Sequence, residues 1–344
     1  MSVIVQRVAE ARVEPYALAF VRPWRSRHGL VRQRTGWLVR LVDNAGRRAS
    51  GECAPWPDAG TESPSLAESA LHSMTNELIG LSLPEALSRV DELTDMPAAR
   101  CGLEGALLGL ESRARGVELR HLLSADAADV VAVNAACGAA GADLAGLAAG
   151  ACAAGFRVLK VKVGVASWAE ELACLKALNL PSGVALRLDA NGAWDETTAA
   201  ACLADLHDLP VEAVEEPLAG FQPAALRRLQ SLSPLPLALD EALSSCAEAA
   251  IGDDCPVRRV ILKPMVLGGA RRSVTLAHRA RAAGLETVVT TTLEAAPGRW
   301  LAAAVAAATA SPLAHGLDTG SWLAEDLGEG PRIIGGKLRF DDRE

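Results

Sequence analysis

The chain has no apolar run long enough to cross a bilayer. Its most apolar segment, Leu301–Ala310, is alanine-rich and ten residues long, against roughly 20 for a membrane-spanning helix. No secretory leader is read at the start, because Met1–Glu10 is polar and interrupted by charge. A basic surplus is missing too. The net charge of −8 over 344 residues argues against a nucleic-acid partner, which would need a basic face for phosphates. The eight cysteines form no CxxC pair and have no histidine at zinc spacing. Several lie in alanine-rich helical stretches, where cysteine behaves as a small hydrophobe. These absences leave an expectation of a soluble, cytoplasmic protein with free thiols, no membrane partner and no nucleic acid.

Half of the residues are apolar, enough for one large domain and a smaller one. Residues 1–56 read as antiparallel strands: Val3–Val13, Gly36–Val42 before the turn Asp43-Asn44-Ala45-Gly46, and Arg48–Ala54. Pro55 and Pro57 break that pattern, and helical periodicity runs from Ser65 to about Gly116. This N-terminal region is an α+β unit, distinct from the remainder of the chain. From about residue 130 strands alternate with helical stretches. The strands are Val130–Ala136, Val158–Val163, Ala185–Ala190, Val211–Glu215, Leu235–Asp240, Val257–Lys263, Glu286–Thr292 and Ala314–Asp318, with starts 22 to 29 residues apart. Eight such strands favour a closed α/β barrel over an open sheet. No GxGxxG follows the first of them, so the usual sign of a dinucleotide fold is missing. The tail from Gly320 to Glu344 is expected to return to the N-terminal unit.

Three acids end successive strands of this series: Asp189, Glu215 and Asp240, spaced 26 and 25 residues apart. One strand–helix unit of a parallel barrel needs about that length, so the repeat folds into a ring and the acids converge. A lone Asp after a strand is usually a helix cap. Three in register at one barrel end point to a divalent cation, and oxygen-only ligands suit Mg2+ or Mn2+. Strand side chains alternate, so Lys160 and Lys162 share a face, with Leu159, Val161 and Val163 on the other. Both lysines then point into the barrel mouth, and Lys263, ending the sixth strand, faces them across it. Lys162, nearer the mouth, is the expected base. Lys160 beside it would disfavour its charge, and Lys263 would neutralise developing negative charge or act as a second acid/base. The same parity aligns Arg187 and Asn191 with Asp189. Thr290-Thr291-Thr292 and Gly316-Leu317-Asp318-Thr319 supply small and hydroxyl residues where a substrate would sit. An arginine cluster, Arg22, Arg25, Arg27, Arg32 and Arg34, precedes an early strand and can lie over the mouth. The six histidines are otherwise dispersed, although His315 borders the last strand.

The set Lys160-Val-Lys162, Asp189-Ala-Asn191, Val214-Glu215-Glu216-Pro217, Ala238-Leu-Asp240-Glu241 and Leu262-Lys263-Pro264 resembles the enolase superfamily, and within it the muconate-lactonising subgroup. The resemblance covers nearly the whole chain. It implies a modified TIM barrel, (β/α)7β, under an α+β capping domain: residues 1–100 with the tail 320–344 as cap, and 101–319 as barrel. Arg34-x-Gly36-x-Leu38-Val39, Gly51-Glu52-Cys53-Ala54-Pro55 and Gly316-Leu317-Asp318-Thr319 are most similar to the o-succinylbenzoate synthase family. That similarity implies a Mg2+-dependent lyase of menaquinone biosynthesis. Its carboxylate substrate, 2-succinyl-6-hydroxy-2,4-cyclohexadiene-1-carboxylate, loses water after Lys162 takes the α-proton. Arg34, Arg187, Thr290 and Gly316 are the expected substrate contacts, with Asn191 supporting the metal ligands. Dipeptide epimerases and N-succinylamino acid racemases of the same subgroup are the alternative. The epimerases usually carry Asp-x-Asp after the last strand, where Asp318 is here followed by Thr319 and Gly320.

Overall fold

The computed structural model describes residues 5–26 and 29–341. The first layer is an antiparallel sheet of β1 (Val8–Ser26), β2 (Gly29–Asp43) and β3 (Arg48–Cys53), in that order. The arginine-rich stretch forms the upper part of a long hairpin, in which pairing continues through Trp24↔Val31 to Ser26↔Gly29. Its stem is held by Leu18 and Phe20, which pack on Ala295 and Leu323 outside the sheet. Of the arginines, Arg22 and Arg32 are exposed, Arg34 is buried and Arg27 lies outside the described residues.

Helices α1 (Pro64–Leu78) and α3 (Pro97–Arg115) cover one face of this sheet, and α2 (Leu83–Asp91) packs on both helices. Ser82 and Glu85 form a reciprocal capping box that starts α2. The contact of α3 with β3 is backbone against backbone, because a Cβ on Gly51 would lie 2.0 Å from the Gly102 carbonyl. Only glycine at both positions permits that approach. The boundary expected at residue 100 therefore falls inside a helix whose packing belongs to the antiparallel layer. After α4 (Leu119–Leu123) comes β4 (Val130–Ala132).

The barrel then alternates β5 (Ala135–Ala139), α5 (Leu144–Ala153), β6 (Val158–Lys162), α6 (Trp168–Lys176), β7 (Ala185–Asp189), α7 (Glu196–Asp205), β8 (Val211–Glu215), α8 (Pro223–Leu232), β9 (Leu237–Leu239), α9 (Leu243–Ala250), β10 (Arg259–Leu262), α10 (Pro264–Leu267), α11 (Ala270–Ala282), β11 (Glu286–Val289) and α12 (Ala296–Thr309). The seven strands β5 to β11 are hydrogen-bonded in sequence order. The eighth is shorter than the sequence implied: His315 and Gly316 bridge Val133 on one side and Thr290 on the other, closing the ring. The strand expected over 130–136 is also divided. Its first half, β4, pairs antiparallel with β13 (Lys337–Arg339) of a terminal hairpin begun by β12 (Ile333–Ile334), and only its second half enters the barrel. The tail thus splits its allegiance. Leu323 bridges Phe20 of β1, whereas the terminal hairpin pairs with β4.

Side-chain parity holds along β6, where Leu159 and Val161 are buried among the helices and Lys160 and Lys162 point inward. The lumen is filled in layers, as such barrels require. Ala238, Ile261 and Val288 form a small apolar cluster of their own, and each shares parity with a residue of the mouth, Asp240, Lys263 and Thr290. Parity is interrupted between β7 and β8. Their register shifts between Leu186↔Val211 and Arg187↔Ala213, and this bulge turns Glu212 onto Arg187 and Arg259.

Candidate active site and metal centre

The carboxylates of Asp189, Glu215 and Asp240 come together at the C-terminal ends of their strands, all buried, with candidate ligand oxygens within 4.8 Å of one another. Backbone pairing sets this directly, since Lys162, Asp189, Glu215 and Ala238 lie side by side across four adjacent strands. Lys160 reaches across to Asp189 Oδ2 at 2.9 Å and to Glu215 Oε2, while Lys263 Nζ lies 2.6 Å from Asp240 Oδ1. Three buried anions and two ammoniums fill a space of a few ångströms. The donor set is all carboxylate, which fits a hard divalent cation such as Mg2+.

The charges tune one another. Burial opposes the positive charge of Lys160, but Asp189, Glu215 and Asp240 outweigh it and hold the amine well above the ordinary lysine value. Lys263 is raised in the same way, with Asp240 and Glu241 overcoming its burial. Burial and the Lys160 charge act oppositely on both Asp189 and Glu215. Asp189 is nonetheless lowered, while Glu215 is raised, with Asp189 and Asp240 repelling it further.

These groups open into a cavity of about 630 Å3. Lys160, Lys162 and Lys263 line it together with Asp189 and Asp240, and Asn191, Thr290 and Gly316 line it too. Strands β6 and β10 are the second and sixth of eight, so Lys162 and Lys263 stand on opposite walls. Asn191, at φ 44°, donates from Nδ2 to Glu241 Oε1 at 3.1 Å. Gly316 leaves space that Thr290 borders, since a Cβ there would meet Thr290 Oγ1 at 2.4 Å.

Two expected substrate contacts lie elsewhere. Arg187 does point into the barrel, but one layer beneath the acids. It is 1% exposed, with Nε 2.6 Å from Glu212 Oε1 and Nη1 donating to Asn134 Oδ1 at 3.2 Å and the Ala314 carbonyl at 2.9 Å. Its Nε is also 3.6 Å from Glu215 Oε1, which makes it a brace under a candidate metal ligand rather than a ligand for substrate. Arg34 is likewise 1% exposed, and its guanidinium donates to the backbone carbonyls of Thr35, Ala54, Pro55, Thr292 and Leu293. Neither arginine lines the cavity. His315 is fully buried and does not line it either; its Nδ1 accepts the Val289 N–H at 2.8 Å, and burial followed by the Arg187 charge lowers its pKa to about 3.

Sequence reasoning missed several groups that shape the site. Trp56, Asp58 and Ala59 reach the cavity from the capping layer, and nothing local marked the segment beyond its prolines. Glu216, at φ 39°, accepts the Asp240 N–H at 2.7 Å and the Ala242 N–H at 3.3 Å, fixing the segment that carries the third ligand. Its burial raises its pKa to about 8. Glu241 has one buried oxygen with no hydrogen-bond partner, and burial followed by Asp240 repulsion raises it to about 7. The signal for both was present: each follows a candidate metal ligand directly in sequence.

Comparison with known proteins agrees with this geometry. Residues 143–344 match the family described as enolase C-terminal domain-like. An o-succinylbenzoate synthase from Thermosynechococcus vestitus is 34% identical over 234 residues, 66% of this chain and 66% of that protein. The chain thus aligns with just under two thirds of that relative's length. The crystal structure of muconate lactonizing enzyme from Pseudomonas fluorescens, complexed with muconolactone, superposes with a TM-score of 0.86 at 25% identity, covering 97% of this chain and 94% of the other. The L-Ala-D/L-Glu epimerase from Bacillus subtilis shares the fold with a TM-score of 0.87 at 23% identity, covering 97% and 96%. Fold, matched residues and the three acids at one barrel rim agree, and the chain belongs to the enolase superfamily, alongside the muconate-lactonising enzymes.

Proposed function

We propose that the chain is an o-succinylbenzoate synthase, a Mg2+-dependent lyase that dehydrates 2-succinyl-6-hydroxy-2,4-cyclohexadiene-1-carboxylate to 2-succinylbenzoate, as in menaquinone biosynthesis. The observation that carries this reading is the pair of opposed lysines, Lys162 and Lys263, in one cavity beside a cluster of three buried carboxylates. Similarity to a synthase at 34% identity supports the choice within the superfamily. Asp189, Glu215 and Asp240 would hold the cation, which when bound would polarise the substrate carboxylate and lower the cost of removing its α-proton.

The chain's own residues do the rest. Lys162, as the neutral amine, takes the α-proton. The Lys160 ammonium, two residues from Lys162 on the same strand, is held in place by Asp189 and Glu215 of the next two strands. The resulting Lys162 ammonium returns its proton to the departing hydroxyl, so that water leaves and the ring becomes aromatic. Lys263, from the facing wall, stabilises the negative charge that develops on the substrate. A small-molecule carboxylate is therefore the proposed partner, and the free cysteines are in keeping with a cytoplasmic site of action.

One observation favours a second reading. Asp58 and Asp318 line the cavity while, among the described residues, no arginine does, and acids suit the ammonium of a dipeptide better than a second carboxylate. Against it, burial raises the pKa of Asp318, with Arg299 opposing, which weakens it as an ammonium partner. Offering the Mg2+-loaded enzyme the cyclohexadiene acid, a dipeptide panel and N-succinylamino acids in parallel decides between them. Turnover of dipeptides with none of the cyclohexadiene acid would overturn the synthase reading.

A further inference from the structure

Two segments from different layers form adjoining parts of the cavity wall. Trp56, Asp58 and Ala59 come from the loop after β3, and Thr290, Thr291, Thr292 and Leu293 from the loop after β11. Among the described residues, no strand pairing joins these loops. Arg34, on β2, lies between them. Its guanidinium donates from Nη1 to the Pro55 carbonyl at 2.8 Å and from Nη2 to the Ala54 carbonyl. Toward the barrel it donates from Nη2 to the Thr292 carbonyl at 3.3 Å and from Nε to the Leu293 carbonyl at 3.2 Å. Its flat face lies 4.9 Å from the centre of the Trp56 ring. One rigid fork thus grips both loops at the residues adjoining the cavity, a geometry that lysine cannot reproduce.

The neighbours show what the fork restrains. Leu293 sits at φ 60°, a left-handed conformation that a leucine adopts only when its surroundings impose it. The Thr292 N–H donates to Glu294 Oε2 at 2.6 Å. Glu52, just before the first loop, accepts the N–H groups of Ala295 and Gly298 at 2.9 Å each, and so fastens the start of α12 to the capping layer. The backbone of both loops is gripped from the buried side, which leaves their outer side chains to meet substrate.

We propose that Arg34 is a positioning residue: by clipping the loop at 54–59 to the loop at 290–293 it sets the wall that receives the part of the substrate remote from the metal. This rests on the cavity being the substrate site, but not on which substrate fills it. Hydrogen exchange followed by mass spectrometry tests the clip without any substrate. In the wild-type protein the amides of Trp56 and Ala59 should open together with those of Thr291 and Thr292, at one rate and with one denaturant dependence. In Arg34→Lys both groups should exchange about tenfold faster while β6, β7 and β8 stay protected. With whichever acid the wild type turns over, KM should rise about tenfold and kcat stay within about twofold, the pattern of lost positioning away from the reacting atoms. Loops that open independently in the wild type would overturn the proposal, even if the variant failed to fold. So would faster exchange spread evenly over cap and barrel, or a kcat that falls with KM unchanged. If no tested acid is turned over, the synthase and epimerase readings fail while the exchange result still stands for or against Arg34.

Discussion

Replacing Arg187 by leucine should destabilise the folded chain by about 3–5 kcal/mol, the usual consequence of removing one partner from a buried ion pair. The structure says where that figure comes from. Glu212 would keep Arg259, whose Nη2 lies 2.8 Å from Glu212 Oε2, but would lose its 2.6 Å contact with Arg187. Glu215 would lose a cation 3.6 Å away and be left more dependent on Lys160. Asn134 Oδ1 and the Ala314 carbonyl would each lose a donor in a place that water does not reach freely. Urea unfolding in EDTA is the assay, because a bound divalent ion would stabilise the wild type by mass action and blur the comparison. Arg187→Lys should recover only part of the loss, since one ammonium cannot serve Glu212, Asn134 and Ala314 together. A stability change under about 1 kcal/mol in the leucine variant, combined with a raised KM, would refute the buried-brace account and restore Arg187 as a substrate contact.

Asp189→Asn, Glu215→Gln and Asp240→Asn should each abolish activity and weaken Mg2+ binding by more than the roughly 10–100-fold that loss of an outer partner costs; calorimetric titration checks this, and full activity of metal-free protein would exclude it. Deuterium exchange at the α-carbon of an N-succinylamino acid, a ligand that carries a hydrogen there, should require Lys162 but survive Lys263→Ala; label that persists in Lys162→Ala and vanishes in Lys263→Ala would reverse the roles. His315 has a folded pKa near 3 against an ordinary 6.5, so the unfolded chain binds a proton that the folded one refuses. Its share of stability is complete above pH 6.5 and falls as pH drops toward 3, by about 2 kcal/mol at pH 5. Unfolding measured at pH 7 and pH 5 should therefore show a shallower pH dependence in His315→Gln than in the wild type.

The sequence alone determined the ring and its chemistry. Side-chain direction alternates at every residue of a strand and one strand–helix unit takes about 25 residues, so the ends of β6, β7, β8 and β9 were bound to present Lys162, Asp189, Glu215 and Asp240 to one point. The chain has only five lysines, and three of them meet there, at strand positions where burial would otherwise exclude them. Glu216 and Glu241 were legible too, as acids directly following candidate metal ligands, although their tasks were not. Parity says which way a side chain points but not how deep it lies. Arg187 shares its face with Asp189, yet only the stacked layers of the closed barrel put it beneath the acids. The bulge that turns Glu212 inward depends on how β8 settles against β7. Arg34 needed more still. Its place between two loops more than 230 residues apart in the chain, from Pro55 to Thr292, exists only once the capping sheet has docked on the barrel, because contacts between layers are set by packing that no local pattern encodes.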